Sequence, residues 1–220
     1  MKHLLIAKLW RIASLAFVLG FAVPAHPAEG HPHVWVTIMT EVLFAPDGTA
    51  TGVRHAWTFD DMYSAYAVQG LAGSKDGPNR DDLAPVAKEN IESIQEAHYF
   101  TFATAGKREV EFGEARDFYF EYDRKNAVLT LHFVLPFKSP VRTKELHVDI
   151  YDPDYFIEFA FAEKNPVALV GAPSRACRLS VVRPEDITAN KQLPEEFFRN
   201  LAESGNWGAH FANKITVRCL

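Results

Sequence analysis

The stretch that decides the fold reads Val34-Trp35-Val36-Thr37-Ile38-Met39-Thr40-Glu41-Val42, then Ala45-Pro46-Asp47-Gly48, then Val53-Arg54-His55-Ala56-Trp57-Thr58-Phe59. Apolar residues recur at every second position of the first and last segments, which is the period of a half-buried β-strand. The Pro, Asp and Gly between them are typical turn residues. The stretch therefore predicts an antiparallel hairpin with one face turned toward a core.

The position of the turn sets the register of this hairpin. A turn centred on its Pro-Asp pair places Val34 opposite Phe59 and puts the apolar residues of both strands on one face. The same register sets His33 opposite Asp60 on the other face, at the open end of the hairpin. Because a slip of one residue would turn every side chain to the wrong face, the apolar match supports this pairing.

The rest of the chain alternates between further strands and a few helices. Helices are predicted at residues 62–72, from Asp81 or Asp82 to about Ala97, and after Pro194; hairpins are predicted around turns at residues 123–126 and 152–155; late strands are predicted at 175–183 and 214–219. This order predicts an α+β fold built mainly of antiparallel β-hairpins and sheets, with two or three helices and a single disulfide.

The first 25 residues are typical of a secretory signal peptide. Basic residues accompany an apolar run from Ile12 to Val23, which is too short for a transmembrane helix. Small residues favour cleavage after Ala25, and no later segment is long and apolar enough to span a bilayer. We therefore expect a secreted product of residues 26–220, folded as one α+β domain or as two subdomains that meet near residue 110.

The charge of the secreted chain argues against a nucleic-acid partner. Removing residues 1–25 takes away three basic residues and no acidic ones, so 20 Lys and Arg remain against 28 Asp and Glu, a formal charge of −8. Nucleic acids select basic faces.

The chain has two cysteines, Cys177 and Cys219, and neither has a second cysteine at metal-site or CxxC spacing. In an oxidising compartment they are expected to form one disulfide. Closing a loop of this length stabilises the fold by ~4 kcal/mol in the chain-entropy model.

Three histidines close to the predicted cleavage site, His26, His31 and His33, are the first candidate metal ligands. Imidazole is the commonest protein ligand for zinc, copper and nickel, and Asp60 or Asp61 could complete the shell. His31 and His33 lie two residues apart, so both point to one side of an extended chain. The alternative is a frayed terminus with solvated histidines.

A second candidate group is His147, Asp149 and Glu158. In a hairpin that turns at residues 152–155, Asp149 lies opposite Glu158, and His147 is two residues away. Like charges directly opposed destabilise a sheet unless a cation or proton intervenes, which favours a metal ion. The alternative, a solvated outer face with a neighbouring Lys or Arg, is the preferred interpretation.

The remaining candidates are weaker. His55 lies on the core face, where a histidine is usually a packing residue, and Asp117 faces His132 in the hairpin around residues 123–126 as an ion pair. The loop at residues 74–82 lacks both anchoring acids of an EF-hand, so calcium is not expected. No nucleophile elbow, zinc-protease or P-loop motif is present, so we expect a protein that is not an enzyme.

Several segments match a known family in combination. They are His31-Pro32-His33-Val34-Trp35-Val36 and residues 55–64, 84–90, 148–156 and 217–219. Together they resemble the bacterial domain-of-unknown-function family described as the periplasmic component of an uncharacterised ABC-type transport system, over essentially the whole mature chain. Members tend to accompany nickel/cobalt-type efflux permeases and zinc-responsive transport genes. The resemblance implies a role in metal homeostasis, a periplasmic location and an inner-membrane metal permease or ABC-type transporter as partner.

The sequence thus predicts a soluble periplasmic accessory protein that binds or delivers a divalent transition metal, Zn, Ni, Co or Cu, for a membrane transporter. Its principal predicted ligands are His31, His33 and Asp60, and its further candidates are His26, His55, Asp61, His147, Asp149 and Glu158. The alternative is a metal-independent protein-interaction module of an envelope transport complex, which would contact its partner through a sheet edge.

Overall fold

The two alternating runs fold as the predicted hairpin, which forms the centre of a larger sheet. The computed structural model describes residues 32–71, 77–171, 177–184 and 206–219. In chain order its regular elements are β1 (Val34–Phe44), β2 (Ala50–Phe59), α1 (Asp61–Ala67), α2 (Arg80–Glu96), β3 (Thr101–Ala105), β4 (Arg108–Val110), β5 (Arg116–Asp123), β6 (Val128–Val141), β7 (Glu145–Ile150), β8 (Ile157–Phe161), β9 (Val167–Val170), β10 (Cys177–Val182) and β11 (Asn213–Cys219). Short 3-10 turns occur at His98–Phe100 and Trp207–Phe211.

The strands form two sheets. The larger sheet has the order β5-β6-β2-β1-β8, with β9 also paired to β1, and the smaller has the order β10-β11-β7-β3-β4. All pairs are antiparallel except that β8 and β9 run parallel to β1, a feature that the hairpin prediction lacked. The chain is a sheet-rich α+β protein with two described helices and one disulfide. The helix predicted after Pro194 lies outside the described residues.

The first hairpin has its predicted faces but a different register. Val36, rather than Val34, pairs with Phe59. Gly48 adopts a left-handed conformation, with φ +81°, that adds one residue to the turn, and a bulge beside the turn adds another. Because a shift of two residues leaves every side chain on its own face, the predicted core face forms as expected.

The hairpin predicted around residues 152–155 does not form. β7 pairs with β3 and β11 in the smaller sheet, whereas β8 pairs with β1 in the larger one. The buried Asp152 carboxylate accepts two backbone N–H groups, at 3.0 and 2.9 Å, and Tyr155 has a φ of +55°. This tight connection takes the chain from one sheet to the other. Asp149 and Glu158 consequently lie in different sheets.

Both described helices begin with a side-chain cap. Asn79 caps α2, and Asp82 closes a capping box by accepting the Asn79 backbone N–H at 2.9 Å. The predicted cap, Asp81 or Asp82, therefore lies inside the first turn instead of before it. α1 ends at Ala67, earlier than the predicted 72. No helix in the described part of the chain combines the length and apolar character that a membrane crossing needs.

One hydrophobic core lies between the two sheets and beneath α2. The larger sheet supplies aromatic side chains such as Trp57 and Phe133, whose rings meet edge to face at 4.9 Å between centroids. The smaller sheet supplies aliphatic side chains such as Val148 and Ile150, which have no exposed surface. The helix adds Leu83, Ala87 and Ile91. Their spacing of four residues makes the single apolar stripe by which α2 packs on the sheets.

Cys177 and Cys219 form the predicted disulfide. They face each other as a cross-strand pair of β10 and β11, with Cα atoms 4.0 Å apart. The bond joins β10, at the edge of the smaller sheet, to the last strand of the chain.

The close approach of β2 to β6 at Gly52 can be tested by substitution. Gly52 has a φ of +153°, and a Cβ there would lie 2.5 Å from the Leu135 carbonyl oxygen. Replacing Gly52 with Ala should therefore destabilise the protein by about 1–3 kcal/mol, because either β2 or β6 must move. The free energy of unfolding in urea measures this loss.

Gly113→Ala is the matched control, because a Cβ at Gly113 meets its nearest atom at an ordinary 3.6 Å. Equal stability of the two variants would contradict the close approach of β2 and β6 at this point.

Candidate functional site

Three segments of the chain meet at the first residues of β1. The backbone N–H of His33 donates to the Phe156 carbonyl at 2.8 Å, and the two rings lie 4.9 Å apart between centroids. Glu158 lies beside Trp35 in the parallel pairing of β8 with β1. Asp60, at the start of α1, hydrogen-bonds Trp35 from the side of β2. We call these five residues the β1 corner.

Asp60 joins α1 to β1. Its Oδ2 accepts the Trp35 backbone N–H at 2.9 Å, and its Oδ1 accepts the N–H of Tyr63 at 2.8 Å as the helix cap. The predicted pairing of His33 with Asp60 is wrong, because the two-residue shift in register brings Trp35 to that place. Asp61, the next residue, is exposed in the first turn of α1.

The β1 corner contains some, but not all, of the predicted metal ligands. His33 and Asp60 belong to it and Asp61 adjoins it, while His26 and His31 lie outside the described residues. Within the described ranges, no three His, Cys, Asp or Glu side chains are grouped closely enough to hold a metal ion. A metal centre at this corner would therefore require His31 or His26 as a further ligand.

His55 is buried in the core with 1 % of its surface exposed. Its Nδ1 lies 3.0 Å from the Thr40 hydroxyl and its Nε2 lies 3.4 Å from the Thr101 hydroxyl. Because the Thr101 hydroxyl donates to the Tyr99 carbonyl, it accepts from Nε2–H, and Thr40 donates to Nδ1. Both nitrogens of a neutral ring are thus used within the core, and burial lowers the pKa of His55 to about 3.

His147 and Asp149 share the outer face of the smaller sheet, whereas Glu158 belongs to the larger sheet. The His147 Nδ1 lies 3.1 Å from a threonine hydroxyl, and its Nε2 lies 2.9 Å from the Glu145 carboxylate. Asp149 pairs in register with Lys214, and burial raises the pKa of its carboxyl group. The fold therefore separates this predicted trio, and a lysine beside Asp149 matches the solvated-face interpretation.

His132 lies opposite Tyr119, not opposite Asp117 as predicted. The turn of this hairpin has four residues, 124–127, between the paired Asp123 and Val128, and Ala127 has a φ of +56°, so the register differs by two residues from the predicted one. The His132 ring stacks on Tyr119 at 4.7 Å, and its Nε2 lies 3.1 Å from the Glu121 carboxylate. His132 therefore contacts Tyr119 and Glu121 of the adjacent strand β5 on the outer face of the larger sheet.

Sequence reasoning did not single out Trp35 and Phe156 as surface residues, although they are 45 % and 47 % exposed. A signal for Trp35 was present, because it shares the outward phase of β1 with Thr37. Phe156 carried no such signal, since its exposure depends on where the chain crosses between the sheets.

The burial of His55 predicts how the stability of the protein depends on pH. Its pKa is lowered from 6.5 to about 3 in the folded protein. The stability that it contributes is complete above pH 6.5 and is lost as the pH falls toward 3, because the unfolded chain then binds the extra proton. Between pH 7 and pH 5 this loss amounts to about 2 kcal/mol.

A His55→Gln variant should lose about 2 kcal/mol less stability than the wild type over the same interval. Urea unfolding at the two pH values measures the difference. The exposed His98, replaced by Asn, is the control and should behave as the wild type. If His55→Gln has the same pH dependence as the wild type, the pKa of His55 is not lowered on folding.

Comparison with known proteins relates the chain to one family. The family described as "Protein of unknown function (DUF1007)" matches residues 16–219, which include all described elements. No curated protein matches the sequence. The chain therefore belongs to this family of proteins of unknown function.

Proposed function

We propose that the protein is a periplasmic accessory protein that binds a divalent transition metal, Zn, Ni, Co or Cu, and delivers it for a membrane transporter. It acts as a binding protein and not as an enzyme. The observation that supports this is the position of His33. Its backbone is fixed to β8, its side chain is exposed, and it directly follows His31-Pro32.

The geometry of the β1 corner suits an exchangeable metal site. The contact with Phe156 restrains the His33 imidazole, so less side-chain entropy is lost on binding. Imidazole nitrogen together with carboxylate oxygen is a donor set that zinc, nickel, cobalt and copper accept. A surface site of this kind leaves coordination positions open to a receiving protein.

The two adjacent carboxylates differ in their capacity to bind a cation. Each oxygen of Asp60 already accepts a backbone N–H, at 2.9 and 2.8 Å, so its geometry is set by the start of α1. Asp61 is exposed in the first turn of the helix and is not its capping residue. We therefore propose His31 and His33 as the main ligands, with Asp61 and then Asp60 as the carboxylates.

The transporter is the part of the proposal that rests on the family resemblance. An inner-membrane metal permease or ABC-type transporter would be the partner. The predicted signal peptide, residues 1–25, would bring the protein to the compartment in which such a transporter exposes its outer surface.

A metal titration tests the proposal. Native mass spectrometry and calorimetry of residues 26–220 with Zn²⁺, Ni²⁺, Co²⁺ and Cu²⁺ should show one bound ion. The double change His31→Ala and His33→Ala should weaken binding by more than about tenfold, because it removes the nitrogen ligands.

His98→Asn is the matched control, since His98 is exposed, has a φ of +53° that asparagine tolerates, and lies outside the β1 corner. Asp61→Asn should weaken binding without altering the thermal midpoint. Unchanged stoichiometry and affinity in the double histidine variant would refute the proposed site.

A second function, the metal-independent interaction module, is favoured by a separate observation. Trp35 and Met39 are 45 % and 48 % exposed on β1, an inner strand of the larger sheet. A complex with the transporter that survives both a chelator and the double histidine change would favour this function over metal delivery.

A further inference from the structure

The outer side of the larger sheet carries an exposed apolar surface at one end. Its large side chains are Trp35, Met39 and Phe156, with exposed fractions of 45, 48 and 47 %. We call these three residues, together with the strand positions between them, the Trp35 face. Soluble proteins tolerate single exposed apolar residues, but a contiguous group of this kind marks an interaction site.

The strand pairing explains why the described residues leave this face exposed. Thr37 lies between Trp35 and Met39 on the outward phase of β1, and it is flanked by Ala160 of β8 and Thr58 of β2. These side chains are too short to cover the indole. Trp35 and Met39 are four residues apart, a distance of about 13 Å along an extended strand. This length accommodates several residues of an extended peptide.

The charges next to Trp35 are acidic. The segments at residues 33–39, 60–66 and 152–161 contain no Lys or Arg, and Arg54, farther along the outward phase of the sheet, is paired with Glu41 at 2.6 Å. Glu158 lies in register with Trp35 on one side, and Asp60 hydrogen-bonds Trp35 on the other. Asp61, the residue after Asp60, is exposed. Trp35 therefore has an acidic residue as its neighbour on each side.

We propose that the Trp35 face binds a basic segment of a protein partner, with a Lys or Arg side chain over the indole between Glu158 and Asp61. Aromatic rings attract cations over their faces, and Trp is the strongest of them. The carboxylates add attraction for the same cation and disfavour acidic partners. Met39 and Phe156 contact apolar parts of the segment.

The chemistry favours a peptide over a free metal ion at this face. A metal ion would use only His33 and the carboxylates, and it would leave the indole and the thioether of Met39 in water. A basic side chain on an extended peptide uses all of them. The inference does not rest on metal binding by the histidines, and the two are separable by experiment.

Binding of defined peptides tests the inference. The probes are peptides of alternating Lys and Val, of alternating Glu and Val, and of alternating Ser and Val, each labelled for fluorescence anisotropy. The Lys peptide should bind and the other two should not, and its affinity should fall with added salt. The indole N–H resonance of Trp35 should shift during the titration.

Trp35→Ala and Glu158→Gln should each weaken binding of the Lys peptide by about twofold to thirtyfold, whereas Trp35→Phe should retain part of the affinity. Leu179→Ala and Glu109→Gln, on the smaller sheet, are the controls for apolar surface and charge and should bind as the wild type. Circular dichroism confirms that each variant is folded.

The His31→Ala and His33→Ala variant in the presence of a chelator should still bind the Lys peptide, so loss of metal binding and loss of peptide binding are distinguishable. Equal binding of the Lys peptide by the wild type and Trp35→Ala would overturn the inference. Binding of the Ser peptide as tightly as the Lys peptide would also overturn it, because this would indicate a purely apolar contact. So would a dimer of the wild type in sedimentation that is absent in Trp35→Ala, because the face would then bind a second copy of the chain.

Discussion

The architecture depends on the fact that β1 is hydrogen-bonded along both of its edges. Antiparallel β2 occupies one edge, and parallel β8 and β9 share the other. A parallel neighbour cannot be reached by a tight turn, so the chain must leave the sheet and return. It does so through both helices and five strands, β3 to β7, of which β5 and β6 belong to the larger sheet and β3, β4 and β7 to the smaller one, and this path encloses the core.

Two aspartates fix the connections that this pairing requires. Asp60 ends β2, caps α1 and binds the backbone of β1. Asp152 is buried and turns the chain from β7 into β8. Both are carboxylates of the kind that invites a metal-site interpretation, yet their oxygens accept backbone N–H groups that would otherwise be unpaired. Candidate ligands in a sheet-rich protein therefore need to be weighed against this structural use.

The pairing of β1 on both edges also brings the candidate functional residues together. Pairing of β8 with β1 puts Phe156 against His33 and Glu158 beside Trp35. His33, one of the proposed metal ligands, thus adjoins the proposed docking surface at the start of β1. A partner bound on the Trp35 face would lie close to His33, as the proposed delivery of a metal ion requires.

Local periodicity was enough to predict the strand faces, the burial of His55, the hairpin of β5 and β6 and the helix α2, because these features depend on residues close in sequence. The disulfide between Cys177 and Cys219 could be predicted because the sequence has only these two cysteines. The sequence could not predict the register of the first hairpin. The observed register differs from the predicted one by two residues, because Gly48 and a bulge each add one residue.

The sequence also could not show that β7 and β8 belong to different sheets. The alternation of apolar residues in each strand would fit either sheet equally well. Which strand pairs with which is decided by long-range hydrogen bonds and by burial of both faces together. For that reason the sequence by itself determined the faces of the clearly alternating strands and showed the histidines near the predicted cleavage site, whereas β3, β4 and β9 were not predicted. Only the tertiary structure decided that Trp35, and not His33, lies between Asp60 and Glu158.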